Sequence, residues 1–195
     1  MSLHPTRRRL MTASAAATAA LGLPCVAWGE APLTPACHDG DEPTMAQTDG
    51  PFFKPRSPER ADLIEPGIKG RPMILAGQVL DRGCRPLGHA LVDLWHADDT
   101  GDYDNTGFRL RGHVFTDAEG RYRFRTIVPA LYTGRTRHFH VKVQPAGARL
   151  LTTQLYFPNE PMNRRDGLFR SELTMRMDRA GEDLEGRFDF IVANR

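Results

Sequence analysis

The sequence predicts an all-β chain, an antiparallel β-sandwich entered through a long irregular segment. Three observations carry that prediction. Short runs of five to nine residues alternate polar and apolar side chains, the period of a half-buried strand. Pro, Gly, Asn and Asp punctuate these runs at the spacing of sandwich turns. No stretch after residue 29 holds a helical period over three turns.

Residues 1–29 read as a targeting segment ahead of the fold. Arg7, Arg8 and Arg9 lead into the small, apolar run ASAAATAALGLPCVA, and Ala27-Trp28-Gly29 offers a small-residue cleavage site. The paired arginines resemble a twin-arginine export signal, a route that carries proteins already folded. The expected location is periplasmic or secreted. No membrane span is expected after signal removal, because the apolar run is short and rich in Ala; a retained N-terminal anchor is the weaker alternative.

Residues 30–72 are dense in Pro and Gly, with Pro32, Pro35, Gly40 and Pro43 followed by TDGPFFKPRSPERADLIEPGIKGRP, and are expected to pack irregularly on the core. Residues 73–195 then supply the sandwich. MILAGQVLD (73–81), HALVDLWHA (89–97), HVFTD (113–117) and RYRFRTI (121–127) are candidate strands, the last two joined by a turn at Ala118-Glu119-Gly120. RHFHVKVQP (137–145) and LLTTQLYF (150–157) pair around Ala146-Gly147, and GRFDFIV (186–192) alternates once more. The connector 158–170 should be an exposed loop.

The chain has 195 residues, 26 % charged and 40 % hydrophobic, ordinary for a folded domain with its own core. The formal net charge of +2 is misleading, because the only charges before Glu30 are Arg7, Arg8 and Arg9, and losing them takes +2 to −1. A near-neutral chain gives no reason to expect nucleic acid or an anionic membrane as partner. Of the three Cys, Cys25 leaves with the signal, and Cys37 and Cys84 remain as a disulfide or as two free thiols.

The chemistry concentrates in RTRHFHVKV (135–143). His138 and His140 share one strand face at about 7 Å along the backbone, while Phe139 and Val141 anchor the other face. Such a pair can be a coincidence of a polar face, or it can hold one ion. No Cys lies nearby. Tyr103 in GDYDN and Tyr132 in PALYTGR come instead from loops, where binding residues concentrate. A phenol ionises near pH 10 when free, and a hard trivalent cation reverses that cost. Two phenolates with two neutral imidazoles suit Fe(III) better than Zn.

TDGPFF, LWHADDTGDYDN, FRLRGHVFTDAEGRYRFRTIVPALYTGR, RTRHFHVKV and QLYFPNE together resemble the intradiol ring-cleavage dioxygenases, over residues 48 to 170. The resemblance implies a transthyretin-like Greek key sandwich and a non-haem Fe(III) cofactor. Its substrates are a catechol-type molecule and O2, and its product is a muconate-type dicarboxylate. It implies Tyr103, Tyr132, His138 and His140 as iron ligands, Tyr132 being the one released when substrate chelates. Arg135 matches the active-site arginine, Gln154 a polar residue near the substrate, and Gly50, Pro51 and Phe52 the segment bordering the pocket. His96 and His113 read as packing or surface residues, Tyr156 as core or sheet face, His38 and His89 as surface. Two departures stand out: the chain lacks the helical N-terminal region by which catechol-specific members dimerise, and Phe139 replaces a commoner Ile. A homo-oligomer is possible. The competing reading is a non-catalytic transthyretin or carboxypeptidase-regulatory type module, which explains the strands but leaves the Tyr and His set as coincidence.

Overall fold

The apolar run MILAGQVLD builds the central strand of the molecule. In a computed structural model, which describes Met1, Cys37, 42–180 and 183–193, this run is β1 (Pro72–Asp81). The expected signal segment lies outside the described residues, apart from Met1. Eight further strands follow: β2 (Leu91–Trp95), β3 (Arg111–Phe115), β4 (Arg121–Ile127), β5 (His138–Gln144), β6 (Leu151–Tyr156), β7 (Arg176–Ala180), β8 (Asp183–Arg187) and β9 (Phe190–Val192). They form two sheets, ordered β4-β1-β8-β7 with β9 also on β1, and β3-β2-β5-β6. Contacts divide the chain into residues 1–32 and 33–195, and every strand belongs to the second unit.

The inner faces meet over Leu75, Val79 and Phe124 from one sheet and Val92, Leu94, Phe139, Val141 and Leu155 from the other, all fully buried. The outer face of β3-β2-β5-β6 carries the polar partners of that alternation. Residues 42–60 lie along it: Gln47 N–H donates to Thr152 O on β6, Arg60 N–H donates to His113 O on β3, and His113 N–H donates back to Pro58 O. Further on, Leu63 enters the core, so the irregular segment closes the sandwich as well as covering it. Cys37 and Cys84 are joined by a disulfide, with Cα atoms 5.5 Å apart. Among the described residues no helix is long and apolar enough to cross a membrane.

Several boundaries depart from the sequence reading. The strand expected over 113–117 ends at Phe115, because the Thr116 hydroxyl takes over, accepting from Ala90 N and donating to Leu87 O. The run 186–192 lies parallel to β1 in one register but is interrupted at Phe188 and Asp189, where the Asp189 carboxylate replaces a backbone carbonyl as acceptor for Gln78 N. β7, RMDRA, has no apolar alternation to announce it, yet it completes the sheet beside β8. The connector expected as an exposed loop at 158–170 contains a 3-10 turn, Pro161–Arg164, and buries Asp166.

The interruption in β8 and β9 depends on Gly77. A Cβ there would stand 1.8 Å from Phe188 O, a backbone atom with no rotamer to change. Gly77→Ala is expected to cost about 3 kcal/mol or more by denaturant unfolding, as overpacking against main chain does. A loss under about 0.5 kcal/mol would show that the two strands can separate freely here.

Candidate functional site

β5 turns His138 and His140 to the outer face while Phe139 and Val141 fill the core. Its neighbours set what surrounds them. Across β6, His140 lies opposite Gln154 and His138 opposite Tyr156; across β2, His140 lies opposite Trp95. The Trp95 and His140 rings stack with centroids 5.0 Å apart. Gly50 approaches the same imidazole at a φ of +68°, and a Cβ on it would come within 3.3 Å of His140 Cε1. A side chain at position 50 would therefore both strain the backbone and press on the imidazole.

The imidazoles are held as neutral donors of lone pairs. His138 Nδ1–H donates to Thr136 O at 2.6 Å, which leaves its Nε2 unprotonated. That Nε2 lies 3.1 Å from His140 Nε2 and 3.3 Å from Tyr103 Oη. Burial lowers the His138 pKa to about 4 and holds His140 well below its usual range. Burial pushes the Tyr103 phenol up, so it stays protonated unless a cation sits against it.

Loops bring in the tyrosines. The chain around Tyr103 is fixed by two Asp side chains acting as turn acceptors. Asp98 takes the N–H groups of Thr100 and Asp102, and Asp104 takes those of Thr106, Gly107 and Arg109. Ala130 N–H donates to Asp98 O at 2.8 Å, tying the Tyr132 loop to the Tyr103 loop. Phe52 stacks on Tyr103 at 4.4 Å, and Tyr132 meets both rings edge-on, at 5.3 Å from Phe52 and 5.7 Å from Tyr103. Tyr103 thus reaches the imidazole pair through its hydroxyl, whereas Tyr132, half-buried on an exposed loop, joins the cluster through its ring.

This donor set fits a single hard cation. Among the described residues no three His, Cys, Asp or Glu side chains converge, and the further donor beside the two imidazoles is the Tyr103 phenol. Ligands at right angles with bonds of about 2.1 Å lie about 3.0 Å apart, close to the spacings found. His140 Nδ1 is buried without a hydrogen-bond partner.

Beside the imidazoles lies a polar row. Arg135 Nη2–H donates to Gln154 Oε1 at 2.7 Å, and Gln154 Nε2–H donates to Thr48 O at 2.9 Å. The structure therefore brings Arg135, Gln154, Gly50 and Phe52 to the same face as His138 and His140. Pro51 is exposed between Gly50 and Phe52. Sequence reasoning missed three members. The Tyr156 hydroxyl donates within reach of Gln47 Oε1, at 2.7 Å, and Gln154 Oε1, at 3.1 Å; its place two residues after Gln154 was the available signal. Arg111 is buried and donates to Phe52 O at 2.6 Å and Asp104 O at 3.1 Å, joining the Phe52 segment to the Tyr103 loop. Asp166 binds Arg135 from the connector. Nothing in sequence pointed to the last two.

His96 is the other buried imidazole and belongs to the packing. Nδ1–H donates to Ala97 O at 2.7 Å, and Thr126 Oγ1–H donates to Nε2 at 2.6 Å. Burial lowers its pKa from 6.5 to about 4. The unfolded chain then binds a proton that the folded one refuses between those values, so stability is intact above pH 6.5 and falls as the pH drops toward 4. The expected loss approaches about 3 kcal/mol. Urea titrations at pH 7 and pH 4.5 check it, with His96→Gln removing that share of the dependence and leaving the part due to His138 and His140.

Comparison with known proteins adds a family to this geometry. A family model described as Dioxygenase matches residues 48–193. The protocatechuate 3,4-dioxygenase beta chain of Burkholderia cepacia is 34 % identical over 169 residues, 69 % of this chain and 72 % of that one. Catechol 1,2-dioxygenase 2 of Acinetobacter lwoffii is 32 % identical over 144 residues, 60 % of this chain and 52 % of that one, so the chain spans about half that relative's length. Among solved structures, the dioxygenase domain of a dioxygenase carbohydrate-binding protein fusion from Streptomyces sp. SirexAA-E superposes with a TM-score of 0.76 at 51 % identity, covering 79 % of this chain and all of that one.

Proposed function

The chain belongs to the intradiol ring-cleavage dioxygenase family, and from that premise we propose that it is a non-haem Fe(III) enzyme opening a catechol-type ring between its two hydroxyls with O2. The observation that carries this reading is the approach of two imidazole nitrogens to 3.1 Å, with a phenol oxygen 3.3 Å from one of them. Buried imidazole and phenol donors at this spacing suit one shared cation once the protons between them are displaced.

Tyr103, Tyr132, His138 and His140 are the residues that would hold the iron. Fe(III) bound there would supply Lewis acidity to both catechol oxygens and withdraw density from the ring, opening it to O2. The chain's own residues do the rest. Tyr132 would be the ligand that lets go, a role its exposed loop supports, and its phenolate oxygen would take a catechol proton as general base. Arg135 presents a fixed cation where negative charge develops on the attacked ring. Gln154 is spent on Arg135 and Thr48, so it fixes the arginine against the wall made by residues 48–52. Both atoms of O2 enter the product, so a catechol and O2 yield a muconate-type dicarboxylic acid with no added reductant.

Export belongs to the proposal. The Cys37–Cys84 disulfide supports an oxidising compartment, periplasmic or extracellular, as do the paired arginines of the sequence.

The test is oxygen uptake by iron-loaded protein against catechol, protocatechuate and hydroxyquinol under labelled O2. One O2 consumed per ring, with both labelled atoms in a dicarboxylate, is expected for at least one of them. Full iron loading with no uptake on any of the three would overturn the reading.

A further inference from the structure

We propose that Asp166 is a positioning residue that aims Arg135 at the reacting ring. The proposal rests on the reading above, in which Arg135 faces the substrate. Asp166 stands 31 residues from Arg135, on the connector after β6, and its carboxylate is spent without remainder. Arg135 Nε–H reaches both oxygens, at 3.0 and 2.8 Å; Leu168 N–H donates to Oδ1 and Thr136 N–H to Oδ2, each at 2.9 Å. Its side chain is 1 % exposed, against 19 % for that of Arg135.

A carboxylate this buried is costly unless fully paired, and this one is. Burial opposes its ionisation, yet the Leu168 and Thr136 N–H groups and Arg135 outweigh that and lower its pKa.

The consequence falls on the guanidinium. Nε is held by Asp166 and Nη2 by Gln154, two neighbouring nitrogens of a planar fork. Two such restraints fix the plane. Among the described residues no partner takes Nη1, so that corner remains for a ligand. Without Asp166, Arg135 would swing about a flexible stem, and its charge would no longer be fixed in advance of the reaction.

The experiment is a double-mutant cycle on iron-loaded enzyme with catechol or whichever of the three diols turns over fastest. Asp166→Asn keeps an acceptor for the backbone but loses the charge and one oxygen. It is expected to lower kcat roughly 10- to 100-fold, with KM within about 3-fold, and with iron content and visible absorption unchanged. In an Arg135→Gln background the same substitution should change kcat by no more than about 2-fold, because there is no guanidinium left to aim. Equal losses in both backgrounds would make Asp166 a support of the loop alone and overturn the proposal. Should Asp166→Asn not fold, Arg135→Lys asks the same question with the carboxylate in place. An ammonium cannot bridge Asp166 and Gln154 in one plane, so kcat should fall nearly as far as in Arg135→Gln; wild-type kcat would refute fixed aim. A wild type that holds iron but turns over none of the diols defeats the functional reading, and the proposal with it, whereas an active wild type with additive losses defeats the proposal alone.

Discussion

Replacing His138 with Ala is expected to strip the protein of iron and lower ring cleavage by about 1,000-fold or more. The loss of a partner outside the ligand sphere typically costs about 10- to 100-fold in metal affinity or activity, and a ligand should cost more. His138 also sits where two demands meet. Its Nδ1–H satisfies Thr136 O, and its Nε2 faces both His140 Nε2 and Tyr103 Oη. Ala removes the donor and leaves a buried carbonyl without a partner, a penalty of about 1–3 kcal/mol. Metal analysis, oxygen uptake and thermal unfolding separate the two effects. Retained stoichiometric iron with wild-type turnover would remove His138 from the site.

Tyr132→Phe should have the second largest effect, of a different kind. The ring keeps its edge contacts with Phe52 and Tyr103, so stability should move by no more than about 0.5 kcal/mol. Only the oxygen goes. On the proposed reading that oxygen is both a ligand and the base for a catechol proton, and positioned bases contribute about 100- to 10,000-fold. A fall in kcat within that range is expected, with a weakened and shifted visible band. A variant with the full band and full turnover would mean that Tyr132 is only part of the aromatic packing.

How far the sequence foretold this arrangement depends on which forces place each residue. The His138 and His140 pair was legible because period two and a buried Phe139 and Val141 leave the imidazoles one face to occupy. Tyr103 and Tyr132 stood out because a phenol in a polar loop has no packing reason to be there. Gln154 came only with the family resemblance and its spacing after His140, and the fold then sets it opposite His140 on the neighbouring strand. Asp166 was illegible: it lies in a run of Pro, Asn and Arg that reads as solvated, and only the fold carries it back to Arg135. Arg111 was hidden for a related reason. A strand arginine reads as exposed, whereas this one is buried to hold Phe52 O and Asp104 O. The sheet partners of β7 share the difficulty, since RMDRA gains its strand character from β8 beside it and not from its own side chains.

The central claim is that phenols and imidazoles of this one chain share a ferric ion. The most direct measurement is resonance Raman excitation into the visible band of the purified iron-loaded protein, with Tyr103→Phe alongside. A reddish protein showing tyrosinate ring modes, diminished in the variant, is the predicted result. A colourless protein at full iron occupancy, or tyrosinate modes untouched by the loss of the Tyr103 oxygen, would contradict it.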